Sequence, residues 1–175
     1  MKEKLFKYLP MISLVVIVLT FGALFIPQSF VNFINNAERS YSGIEVFFNF
    51  NYVIGNNTAN WMSNNLHGRV MASGIILLVL LALGATCFIF HKKSSSLVLF
   101  GGILNVLASI VLFAMELWML IVYPQKAPVV LWVAYVFGAF LLITGGLSIY
   151  AAIVALKKEK VEAYSKKSYS YLKNK

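Results

Sequence analysis

The chain has 175 residues, of which 60% are hydrophobic and only 12% charged, with a mean hydropathy of +0.79 and a net charge of +9. A soluble domain carries about 25% charged residues. Together with the long apolar blocks, these values exclude a disordered tail, a disulfide scaffold and an ordinary soluble enzyme, and they point to an integral membrane protein.

Apolar blocks follow one another at Leu9–Ile26, Val70–Phe90, Leu97–Val122 and Val129–Leu156. At about 1.5 Å per residue each can cross a hydrocarbon core of roughly 30 Å. The expected fold is all-α: a single membrane domain over 1–175, built as a four-transmembrane-helix bundle. The first block starts basic, as a signal peptide does. It is long for one, however, and Phe25-Ile26-Pro27-Gln28-Ser29-Phe30 offers no small-x-small cleavage site, so it is expected to persist as a helix.

The connection 27–69 is the only extramembrane stretch large enough to fold. In Gly43–Ile54, Ile44, Val46, Phe48, Phe50, Tyr52 and Ile54 fall at period two, with Phe47 and Val53 as exceptions. That pattern reads as a strand, followed by a turn at Gly55–Thr58. A lone strand leaves its edges open, so it needs a partner, either Ser29–Ile34 or another protein. The expectation is a small extracellular β-containing cap. Tyr41, Tyr52 and Trp61 are candidate anchors at headgroup level. Asn56-Asn57-Thr58 matches the N-glycosylation acceptor pattern.

Lysine placement sets the orientation. Lys2, Lys4 and Lys7 precede the first block, and Lys92 and Lys93 lie in the second connection. Lys157, Lys158, Lys160, Lys166, Lys167, Lys173 and Lys175 occupy the tail 157–175. With four crossings all of these lie on one side, and only Arg39, Arg69 and Lys126 lie on the other. The positive-inside rule then puts both termini in the cytoplasm and the long loop outside the cell membrane. The short connections His91–Ser96 and Tyr123–Pro128 make spans 2 and 3, and spans 3 and 4, antiparallel neighbours. Span 4 is expected to run on as a helix through Ala163. The tail from Tyr164 is solvated or drawn to anionic headgroups.

Hydrocarbon gives helices no hydrophobic reason to associate, so small and polar residues mark their contact faces. Gly101 and Gly102 open span 3, and span 4 carries Gly138, Gly145 and Ala152 at seven-residue spacing, with Gly146 nearby. Span 2 offers Ala72, Ser73, Gly74, Gly84 and Ala85, and span 1 offers Ser13 and Thr20. Asn105, Ser109, Leu112 and Glu116 step by three or four and share one face, expected to point into the bundle. Glu116 is the one acidic residue inside a span. Tyr135, Thr20 and Arg69 stand at a comparable depth or at the mouth above it, completing an intramembrane polar cluster. Three readings of Glu116 stay open: structural glue bonded to Tyr135 or Arg69, contact with a partner subunit, or a proton or cation site. The single cysteine, Cys87, forms no internal disulfide and reads as a small core residue. His67 and His91 lack the neighbours a zinc or haem site needs, so no metal and no cofactor is expected. The basic clusters flank membrane spans, which makes nucleic acid a poor partner for them.

Arg69 before span 2, Gly101-Gly102-Ile103-Leu104 opening span 3, Trp118 and Tyr123-Pro124 at its outer end, and Gly145-Gly146 in span 4 carry a resemblance. In these residues and in its layout the chain resembles the claudin and peripheral-myelin-protein type of tetraspan. The resemblance implies four spans, both ends inside, an extended first outer loop and a short second one. The first-loop signature of that type, Gly-Leu-Trp followed by two cysteines, is missing, so a paracellular barrier role does not carry over. The chain also resembles uncharacterised bacterial four-span proteins with an extended segment like Tyr41–Phe48 after the first span, which implies architecture and no activity. The expected function is that of a non-enzymatic assembly or accessory subunit in the bilayer, meeting a protein partner or a second copy through its outer loop and helix faces. The alternative is a small transporter or channel component using Glu116, Asn105 and Tyr135.

Overall fold

The structure, a computed structural model, describes residues 2–32, 37–48, 60–122 and 132–173, and within these the side chains of 7–26, 42–45, 47–48, 68–115, 117 and 136–164. The chain is a helical membrane protein. Its long helices are α1 (Lys2–Ala23), α3 (Asn60–Ile89), α4 (Ser95–Val122) and α5 (Trp132–Lys173). Gly68–Ile89, Ser95–Met115 and Val136–Tyr164 are each long and apolar enough to cross a bilayer, whereas the apolar part of α1, Lys7–Ala23, is shorter. The helices close into a ring in which α1 packs on α3 and α5, and α4 packs on α3 and α5.

Polarity in this bundle is reversed relative to a soluble one. Met11, Val15, Val18, Ile76, Val79, Leu83, Leu107, Ile110, Ile143 and Leu147 face outward, while Ser13, Thr20, Asn105, Ser109, Thr144 and Ser148 are buried. An apolar exterior is what hydrocarbon solvates, and polar groups find partners only inside. The inward positions alternate steps of three and four: Val70, Gly74, Leu77, Leu81, Gly84 and Phe88 on α3, and Gly138, Leu141, Gly145, Ser148 and Ala152 on α5. This 3.5-residue repeat suits shallow left-handed crossings of long neighbouring helices.

One end of the bundle gathers the basic residues. A short 3-10 turn, His91–Lys93, links α3 to α4 there. Lys7 and Lys92 line a groove with Ala155, and the Ser95 hydroxyl donates to Glu159 Oε1 at 2.6 Å, which ties the start of α4 to the extension of α5.

The opposite end carries the cap, and here the sequence expectation needs correction. Strands β1 (Pro27–Asn32) and β2 (Ala37–Ser42) form an antiparallel hairpin in which Pro27 pairs with Ser42 and Asn32 with Ala37. The segment expected to be a strand begins instead as helix α2 (Gly43–Phe48), and 49–54 lie outside the described residues. The same apolar letters serve both readings. Ile44, Phe47 and Phe48 are spaced i, i+3, i+4, and Phe47, an exception to the strand pattern, is only 1% exposed. A capping box settles the choice. The Ser42 backbone N–H and hydroxyl both donate to Glu45 Oε2, at 2.7 and 2.9 Å, and the Glu45 N–H donates back to Ser42 Oγ at 3.3 Å. These bonds, the backbone one first, hold the Glu45 carboxyl below the usual carboxylate range.

The remaining boundaries move as well. Helix α3 starts at Asn60, ten residues before the expected Val70, and α5 runs to Lys173, beyond Tyr164 where a solvated tail was expected. The expected turn at Gly55–Thr58, the Asn56 acceptor, Tyr52 and the connection Tyr123–Pro128 lie outside the described residues, as do the side chains of Tyr41, Trp61 and His67.

Candidate functional site

A polar seam runs through the interior of the bundle. Ser13 on α1 and Ser148 on α5 share a hydrogen bond of 3.1 Å, with both residues fully buried. Ser109 on α4 donates to the Gly138 carbonyl on α5 at 2.7 Å. Gly138 is closely packed as well, and a Cβ there would stand 3.2 Å from the Phe113 ring. Thr144 donates to the Phe140 carbonyl of its own helix at 2.8 Å.

Asn105 sits between these bonds. It is 0% exposed, and neither Oδ1 nor Nδ2 has a hydrogen-bond partner among the described residues. Its Oδ1 lies 3.2 Å from where a Gly84 Cβ would be, and its Cβ lies 3.1 Å from where a Gly145 Cβ would be. The amide therefore occupies space that two glycines leave open. A buried polar group without a partner costs about 1–3 kcal/mol, and among the described buried side chains only the Asn105 amide is in that position.

Of the expected cluster, the structure describes the side chains of Asn105, Ser109, Thr20 and Arg69. Asn105, Ser109 and Leu112 do share a buried face of α4. Thr20 is buried, but its hydroxyl donates to the Val16 carbonyl of its own helix at 2.7 Å. Arg69 is exposed within the first half of α3, one residue before the buried Val70; its carbonyl accepts from Ser73 Oγ, and it borders a flank cavity of about 360 Å³ with Val111 and Met115. The side chains of Glu116 and Tyr135 lie outside the described residues, and so does any contact between them or with Arg69.

The glycines divide as sharply. A Cβ at Gly102 would stand 2.8 Å from the Gly145 carbonyl oxygen, and one at Gly145 would stand 2.8 Å from the Gly102 carbonyl oxygen. Gly101 faces the tip of the Phe88 ring at 3.0 Å. Gly146, expected among the packing glycines, instead points outward, with nothing within 4 Å of its Cβ position. Sequence reading missed two positions that build the cap. Phe47 packs over Gly74, where a Cβ would lie 2.8 Å from the ring's Cγ, and Gly43 fits against Leu24. The signal for them was Ser42-Gly43-Ile44-Glu45, an S-x-x-E helix start.

Cys87 is half-buried on α3. Among the described residues no three His, Cys, Asp or Glu side chains assemble into a metal-binding group. Comparison with protein-family models, with curated proteins and with solved structures finds no match.

Proposed function

We propose that the chain is a non-enzymatic four-span protein of the cell membrane, with both termini cytoplasmic and its claudin-like cap outside, acting as an assembly or accessory subunit. The gathering of Lys7, Lys92, Lys93 and Lys157–Lys160 at one end of the bundle supports the orientation. The observation that carries the interaction role is how the cap is mounted. Among the described residues the hairpin has two strands, and none of these residues pairs with the outer edge of either strand. An open edge is a template for another strand. The hairpin is also anchored. Strand β2 leads directly into α2, the Ile44 N–H donates to the Leu24 carbonyl at 3.0 Å, and Phe47 is buried over Gly74. Pre-ordering of this kind lowers the cost of binding. The test is gentle detergent extraction of the tagged full chain, with identification of whatever co-purifies, for wild type and Phe47→Ala. A partner or second copy retained by the wild type and lost by the variant is the expected result. A lone monomer in both overturns the reading.

Asn105 favours a second reading, a transporter or channel component in which Asn105, Tyr135 and Glu116 form a polar path. An amide without a partner among the described residues is the kind of group a permeating ion or proton carrier would satisfy. Proton- or cation-dependent flux in liposomes that Asn105→Leu abolishes would replace the first reading with this one.

A further inference from the structure

At the lysine-rich end, a groove of about 580 Å³ lies between the start of α1, the 3-10 turn and the facing parts of α4 and α5. That is within the roughly 300–1,000 Å³ of small-molecule sites. The sequence explains why the groove exists. Pro10, Ala151, Ala152 and Ala155 are too small to fill the space where α1 approaches α5, and with Met11 and Val98 they give it an apolar floor. The rim has the opposite character, with Lys7, Lys92 and His91 standing along it beside Tyr8.

The rim is organised. His91 Nδ1 lies 2.7 Å from the Phe88 carbonyl oxygen. A carbonyl only accepts, so Nδ1 carries the proton and Nε2 is the nitrogen left for a ligand. Glu159, on the extension of α5, accepts from the Ser95 hydroxyl at 2.6 Å. Neither Lys7 nor Lys92 has an ion-pair partner among the described residues.

We propose that this groove binds an anionic phospholipid, with the phosphate between Lys7 and Lys92 and one acyl chain along the alanine floor. Charge complementarity selects the headgroup, as in other basic pockets between membrane helices. A zwitterionic lipid brings its own cation to the two lysines. A free phosphate gains nothing from the apolar floor. The exposed Tyr8 and Met11 on α1 leave the groove open toward the surrounding lipid.

The experiment is native mass spectrometry of the detergent-solubilised full chain with equimolar phosphatidylglycerol and phosphatidylcholine. The wild type is expected to retain phosphatidylglycerol at least about 25-fold more. Lys92→Gln should lower that retention about fivefold, and Lys7→Gln with Lys92→Gln about 25-fold. Ala155→Leu, which fills the floor without changing charge, should lower it too. The decisive control is Lys93→Gln, the same charge change one residue away. Lys93 Nζ sits 4.8 Å from the centre of the Phe90 ring and does not line the groove, so retention should hold. Equal losses from Lys92→Gln and Lys93→Gln would mean diffuse surface charge and overturn the site. Equal retention of both lipids, or displacement of phosphatidylglycerol by inorganic phosphate at matched concentration, would overturn it as well.

Discussion

Where α4 crosses α5, glycine meets backbone; where α2 meets α3, glycine meets a ring. At the first joint the Gly102 and Gly145 carbonyl oxygens each stand 2.8 Å from the other residue's Cβ position. At the second, the Phe47 ring stands at the same distance from the Cβ position of Gly74. A backbone clash is relieved only by moving a helix, whereas a ring can swing away and take α2 with it. The α4–α5 seam therefore fixes how two membrane helices sit against each other, and the Phe47 joint fixes how the cap sits on α3.

Breaking the seam should have the largest effect. Gly145→Val adds a branched side chain against the Gly102 carbonyl, Val106 and Asn105. Overpacking of this kind costs about 3 kcal/mol or more when no rotamer escapes it. The expected outcome is a much lower melting temperature in detergent, with helices separating. Phe47→Ala comes next. It forfeits burial of one aromatic side chain, about 2 kcal/mol, yet the loss should be local. Amide exchange should rise across β1, β2 and α2 while α4 and α5 stay protected. Faster exchange throughout the bundle would show that the two joints are not independent.

The capping box sharpens the same contrast at smaller scale. Ser42→Ala should cost α2 about 1 kcal/mol. Because Glu45 titrates below the usual carboxylate range in the folded cap, its contribution is complete above the ordinary carboxylate value and is lost as pH falls through the lowered one. Amide protection factors in α2, with the intrinsic pH dependence of exchange divided out, should therefore fall as the pH drops below the ordinary carboxylate range, and Glu45→Gln should remove that dependence. The seam, with no carboxylate among its described bonds, should not follow. Ser109→Ala is smaller still. Interhelical hydrogen bonds in lipid average about 0.6 kcal/mol, and Gly102 and Gly145 remain to hold α4 against α5.

How much of this was legible in the sequence depends on which residues shared one meaning. Gly138, Gly145 and Ala152 read as a contact face because a seven-residue step admits one interpretation on a helix, and the structure buries Gly138, Gly145 and Ala152 on α5. Asn105, Ser109 and Leu112 were legible for the same reason. The cap was not. Ile44–Phe48 satisfies period two and the i, i+3, i+4 pattern at once, so apolar spacing alone could not decide. The deciding signal was polar, a Ser and a Glu three residues apart. Nor could the sequence show that Thr20 would turn its hydroxyl to Val16, or that Arg69 would stay exposed, because both depend on helix rotation.

The adjacent glycines of α5 isolate helix rotation from every other variable. Gly145 and Gly146 are chemically identical, but about 100° of helical turn separates their Cβ directions. Alanine at 145 would place a methyl 2.8 Å from the Gly102 carbonyl oxygen and 3.0 Å from Val106, whereas alanine at 146 meets nothing within 4 Å. Gly146→Ala should therefore leave the melting temperature unchanged or raise it slightly, since alanine favours a helix interior over glycine by up to about 1 kcal/mol. Gly145→Ala, which makes the same gain in propensity, should lower it. The composition, the added volume and the membrane depth are matched, so the difference between the two melts reports only which way each residue faces. Equal melts would mean that α5 is rotated from the register in which Ser109 reaches Gly138 and Ser13 reaches Ser148, and both bonds would have to be abandoned with it.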